Sequence, residues 1–154
     1  MFTSKLIMEV LPNIHLLAFF TVTLTVVFRQ KALYPIGVFV AITGVYAGFA
    51  PWWVPYLYLW TLLWGAVMLL PRRMPAWLAP IVYATVAACH GFLYGVLYAP
   101  TQALLYGMSF EGMLAWIVSG LPFDLIHGIS NFICGLWIVP FVKLLETLKK
   151  RYRF

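Results

Sequence analysis

The sequence is short of charge, and of acid above all. Only 9% of its 154 residues are charged, and four Asp and Glu stand against ten Lys and Arg. Soluble domains carry about 25% charged residues. With 64% hydrophobic residues and a mean hydropathy of +0.95, a water-soluble globule is excluded, because a small domain leaves a large share of its surface in water. Disorder is excluded for the opposite reason, since there is too much to bury. Cysteine is scarce as well. Cys89 and Cys134 both lie inside apolar runs and read as small packing residues rather than a disulfide. The chain has no HExxH, no CxxC, no paired carboxylates and no P-loop. Ser119 and Ser130 lack a nucleophile-elbow context. Neither catalytic residues nor a metal or cofactor are therefore expected.

What is there is a series of apolar runs. A membrane crossing needs roughly 20 residues, so five or six crossings would use the whole chain as a single transmembrane domain, 1–154. The first run extends from about Pro12 to Phe28 and ends at Arg29-Gln30-Lys31. The second covers about Ala32 to Phe49, ending at the Pro51–Pro55 turn, and the third about Tyr56 to Leu70, ending at Pro71-Arg72-Arg73. The fourth covers about Ala76 to Leu97, and a longer connection, Tyr98 to about Glu111, follows. The last stretch, Gly112 to Leu145, is too long for one straight crossing and is expected to kink near Gly120-Leu121-Pro122, where proline removes a backbone donor. Lys5 precedes an apolar stretch as in a signal peptide, but Glu9, Pro12, Asn13 and His15 interrupt it, so it reads as mature sequence. The expected architecture is an all-α integral membrane protein, a compact bundle of five transmembrane helices.

Basic residues set its orientation. Arg29, Lys31, Arg72, Arg73, Lys143, Lys149, Lys150, Arg151 and Arg153 fall on one side of five spans, and only Lys5 falls on the other. The net charge of +6 thus reads as a topology signal, with no nucleic-acid partner. The positive-inside rule places the C-terminus in the cytoplasm and the N-terminus outside.

The few polar side chains gather on the opposite, outer side. Asn13 and His15 begin the first span; Trp52, Trp53, Tyr56 and Tyr58 lie at the outer turn. His90, Tyr94 and Tyr98 are in the outer half of span four, Gln102 follows in the connection, and Asp124, His127 and Asn131 are in the last span. Each has a bland reading: the aromatics as an interfacial belt, His90 as a donor to a backbone carbonyl, Asp124 with His127 as a staple for the kink. The spacing of Asp124, His127 and Asn131 puts them on one helix face, and an ionisable group at that depth is a functional-site hypothesis. Aromatic faces with a few oriented polar groups make up a small-molecule pocket. The candidate substrate-binding residues are Asn13, His15, Trp53, Tyr56, His90, Tyr94, Gln102, Asp124, His127 and Asn131.

Several segments resemble the substrate-binding S components of energy-coupling factor (ECF) transporters. They are Leu11-Pro12-Asn13-Ile14-His15-Leu16, Lys31-Ala32-Leu33-Tyr34, Trp52-Trp53 with Tyr56-Leu57-Tyr58, and Gly120-Leu121-Pro122-Phe123-Asp124-Leu125-Ile126-His127 with Asn131 and Pro140 following. The resemblance implies capture of a vitamin or similar micronutrient from outside, and delivery through a membrane T component and two cytoplasmic ATPases, which carry the hydrolysis. It also implies a six-helix fold, of which Met1–Val10 resembles only the end of helix one. His15 stands where related sequences often carry an acid, so no relative's substrate is carried over. The alternative is a non-transport membrane scaffold that binds another membrane protein. The pairs Gly44/Gly48, Ala84/Ala88 and Gly91/Gly95 are small-x-x-x-small spacings, to which no docking role is transferred.

Overall fold

The computed structural model describes all residues except Glu9, Pro12, Asn13, Arg153 and Phe154. Proline and the basic pairs punctuate the chain much as their chemistry requires. The elements are α1 (Phe2–Ile7), α2 (Leu17–Phe28), α3 (Leu33–Ala47), α4 (Tyr56–Leu69), α5 (Leu78–Phe92), α6 (Tyr94–Tyr106), α7 (Phe110–Gly135) and α8 (Ile138–Tyr152), with short 3₁₀ turns at Arg29–Ala32 and Pro51–Trp53. Among the described residues there is no strand. Four helical runs are long and apolar enough to cross a membrane: Leu17–Ala47, Pro51–Leu69, Leu78–Tyr106 and Phe110–Gly135. The first of these is not one helix. Arg29 sits at φ 54, ψ −120, outside the helical basin, and divides α2 from α3.

Two sequence expectations are corrected. The segment from Tyr98 is not an irregular connection, because α6 carries the helix to Tyr106 and stops at Gly107, whose φ of 62 is left-handed. Glycine takes that conformation without a Cβ penalty. Second, the last stretch, Gly112 to Leu145, is not one helix kinked near Gly120-Leu121-Pro122 but two. The first runs through Pro122 and ends at Gly135, and the second begins at Ile138 as α8. A proline inside an apolar helix costs one backbone bond, which neighbouring helices can offset in a membrane protein.

Helix α2 is the most enclosed element, with Leu17, Ala18, Phe19, Val22 and Val27 buried. Its threonines are buried too, and Thr23 and Thr25 return their hydroxyls to the carbonyls of Phe19 and Thr21. This back-bonding lets a polar side chain sit in an apolar core. One core cluster joins α2 to α4, α5 and α8 through Val22, Leu63, Val67, Ala87 and Ile138. A second gathers Leu17, Ile36, Phe39, Val40 and Trp60.

The seam between α5 and α7 is the closest in the bundle and is built from small residues. Ala84, Ala87, Ala88 and Gly91 of α5 are buried, as are Gly128 and Gly135 of α7. A Cβ on Gly91 would come within 2.8 Å of the Asn131 amide nitrogen and 2.9 Å of the Gly128 backbone. The Ala84/Ala88 and Gly91/Gly95 spacings therefore serve internal packing, the usual use of small residues between apolar helices. Gly65 of α4 has open space around it. Gly91→Ala is expected to lower the thermal unfolding midpoint in detergent, as overpacking by about 1–3 kcal/mol would. Gly65→Ala is expected to leave it unchanged or to raise it, since Ala exceeds Gly in a helix by roughly 0.5–1 kcal/mol. Equal responses at the two positions would contradict the close seam.

Candidate functional site

The α5–α7 seam sets the facing of the buried polar residues of α7, Asp124, His127, Ser130 and Asn131. At one end of it, α6 begins at Tyr94, and the Gly95 N–H is one of the donors a helix start leaves unpaired. The Asp124 carboxylate takes it with both oxygens, at 3.1 and 3.0 Å. A Cβ on residue 95 would run into that carboxylate. Asp124 thus turns to α6 and caps its N-terminus, where the helix dipole favours a negative charge, and does not staple its own helix. Two turns further on, the Asn131 amide donates to the Ala87 carbonyl at 3.2 Å. His127, between them on the same face, points into a cluster of rings.

That cluster draws on five segments. His15, from the irregular stretch before α2, packs edge-on to His127 at 4.6 Å between ring centroids and faces Trp60 of α4 at 6.3 Å. Tyr94 lies 4.9 Å from His127 and 6.0 Å from His90. Trp60 contacts His90 at 5.6 Å and Tyr56 at 5.7 Å. His15 and His90 thus meet on Trp60, and His127 joins them through His15 and Tyr94. Trp60 is 0% exposed, His127 3% and Asn131 2%. Next to the cluster, Tyr98 stacks on Trp116 and donates its hydroxyl to the Trp52 carbonyl. Gln102 lies beside that hydroxyl.

The polar atoms of this cluster are incompletely paired. His90 holds the Leu59 carbonyl through Nε2 at 3.1 Å. Because a carbonyl only accepts, Nε2 carries the proton, and Nδ1 of the neutral ring is an acceptor. His90 Nδ1 has no partner, nor do His15 Nδ1, His127 Nε2, the Trp60 indole N–H and Asn131 Oδ1. A buried polar atom without a hydrogen bond costs roughly 1–3 kcal/mol. Such atoms are uncommon in native proteins, and five of them belong to residues in or beside this ring cluster. The set offers one fixed donor, two fixed acceptors, and two imidazole nitrogens that can play either role. Aromatic faces surround it, and no Lys or Arg is among the cluster's residues. Among the described residues no group of three or more His, Cys, Asp or Glu is placed to hold a metal ion.

Of the residues expected from the sequence, His15, Tyr56, His90, Tyr94 and His127 come together directly. Asp124 and Asn131 adjoin them as positioning groups, and Gln102 sits at the edge. Trp53 does not join the cluster. Its indole N–H donates to the Val40 carbonyl at 2.8 Å and ties the turn to α3. Tyr58 is likewise engaged with the Leu97 carbonyl and Thr101. Asn13 lies outside the described residues. Cys89 and Cys134 are free. The sequence reading missed Trp60, although Trp53, Tyr56 and Trp60 repeat at spacings of three and four, the mark of one helix face.

No family model matches the chain, and no curated protein or solved structure matches it.

The Asp124 cap can be tested without a ligand. Asp124→Ala leaves the Gly95 N–H without its side-chain acceptor and is expected to cost about 1–3 kcal/mol. Asp124→Asn keeps one acceptor oxygen and is expected to recover part of the thermal midpoint. Equal midpoints for the two variants would show that the contact does not carry this load.

Proposed function

We propose that this chain is the substrate-binding S component of an ECF-type importer. In this reading the protein crosses the membrane five times, through α2, α3, α4, α5 with α6, and α7 with α8. Arg29 divides the first apolar run into two crossings, so the N-terminus lies outside and the C-terminus in the cytoplasm. Support for the orientation comes from the basic residues, since Arg29, Lys31, Arg72 and Lys149 line one groove at one end of the bundle.

The observation that carries the proposal is the gathering of His15, His90 and His127 with Trp60 and Tyr94 in one ring cluster. Polar groups buried this way in a membrane protein are costly and mark functional sites. The mixed donors and acceptors among flat rings suit a small, largely planar molecule with polar edges, such as a vitamin or similar micronutrient. The reading is of binding, with energy supplied by a T component and two ATPases.

The scaffold reading draws on a different observation. Leu121, Phe123, Leu125, Ile129 and Ile133 of α7 are exposed, and they could face either lipid or a protein partner. Co-purification separates the two: recovery with a T component and ATPases supports the importer, and stable assembly with an unrelated membrane protein supports the scaffold.

A thermal-shift screen of vitamins and related nitrogen heterocycles tests the binding itself. A ligand at 100 times its Kd stabilises the folded state by about 2.7 kcal/mol. One compound is expected to raise the midpoint of the natural chain, and the rise is expected to vanish in His127→Ala and Asn131→Ala. Trp77→Ala, at an exposed tryptophan, should keep it. A rise preserved in both cluster variants would place the ligand elsewhere.

A further inference from the structure

A second built feature lies apart from the histidines, where α2, α4 and α8 end. A groove of about 440 Å³ is lined by Arg29, Lys31, Arg72 and Lys149, with Phe28 and Met68 among its apolar walls. A smaller cavity of about 190 Å³ shares Arg29 and Arg72 and adds Tyr83. Neither lining contains an acid. Glu146, one turn before Lys149 on α8, is exposed.

Two of the four cations, Arg29 and Lys149, are held there rather than left to swing free. Arg29 is the one non-glycine residue with positive φ among the described residues, a conformation that costs energy and persists only where its surroundings enforce it. Two contacts do so. Its guanidinium donates to the Met68 carbonyl at 3.0 Å, and the Trp64 indole donates to the Arg29 carbonyl at 3.1 Å. Its Nε is buried and has no partner. Lys149 rests over the Phe28 ring at 5.3 Å, a cation–π arrangement that fixes the ammonium near the groove. Like charges brought together in this way repel unless an anion lies between them. The arginine fork fits phosphate oxygens with two parallel bonds.

We propose that this groove holds the phosphate of an anionic phospholipid. Its ligand chemistry is that of an oxyanion with an apolar tail. The basic side chains meet the phosphate, and Val27, Phe28 and Met68 meet the glycerol and the first methylenes. The ends of apolar helices are where the headgroups of a bilayer lie, and basic pockets between helices on that side bind lipid headgroups. A free phosphate would find the same cations but no use for the apolar walls. The assignment stands independently of what the histidine cluster binds.

The test uses the full chain in neutral detergent, titrated with phosphatidylglycerol, with phosphatidylcholine of the same acyl chains, and with inorganic phosphate, read by native mass spectrometry. Phosphatidylglycerol is expected to bind at least about ten-fold more tightly than phosphatidylcholine. The Arg72→Gln, Lys149→Gln double variant, which leaves the Arg29 contacts intact, is expected to lose about ten-fold for phosphatidylglycerol, and Lys5→Gln to lose nothing. Lys149→Gln alone, with a smaller loss, serves if the double variant fails to fold. Equal binding of the two lipids, or unchanged affinity in the lysine variant, would overturn the proposal. Displacement of phosphatidylglycerol by an equal concentration of inorganic phosphate would overturn the lipid and leave a phosphate site.

Discussion

The bundle depends on how closely α7 can approach α5 and α6. Apolar helices in a bilayer gain little from the hydrophobic effect between them, because lipid tails are as apolar as leucine. Close packing and interhelical hydrogen bonds have to supply the association. Here both come from the same residues. Gly91, Gly95, Gly128 and Gly135 remove the side chains that would hold the helices apart. Asp124 then reaches the Gly95 N–H, and Asn131 reaches the Ala87 carbonyl. Two polar bonds therefore pin the rotation of α7 about its axis, and His127, which lies between them, has one direction to face.

That direction is toward His15 and Tyr94. Trp60 is the floor on which segments far apart in sequence converge, since it touches His15, Phe39, Tyr56, His90 and Tyr94. The chain thus sorts its chemistry by position. One cluster holds imidazoles and aromatic rings without lysine or arginine. Where α2, α4 and α8 end, cations gather around a groove without acids. Between the two lies a core of valine, leucine, alanine and back-bonded threonine.

Much of this was legible in the sequence because the signals were local. Charged or proline-rich turns separate helices, so α2, α3 and α4 fall close to where the apolar runs place them. The spacing of Asp124, His127 and Asn131 defines one helix face whatever the fold. What failed depended on tertiary context. Pro122 read as the point where the last stretch would kink, and helix α7 runs on through it to Gly135. The break that does occur, at Leu136 and Trp137, carries no proline. Asp124 appeared to have His127 as its natural partner, because only the fold brings a helix start beside it. Trp53 ties a turn to α3 while Trp60 lies among the histidines, and the sequence does not say which helix an indole will meet.

The central claim is that the histidine cluster holds a small molecule. It is tested most directly by extracting the chain, purified from membranes of its native host, and identifying small molecules released on denaturation by mass spectrometry. The account predicts one compound at close to one per chain, retained through purification of the natural sequence and absent from His127→Ala prepared in the same way. No retained compound, or the same compound retained at the same level by His127→Ala, would contradict it.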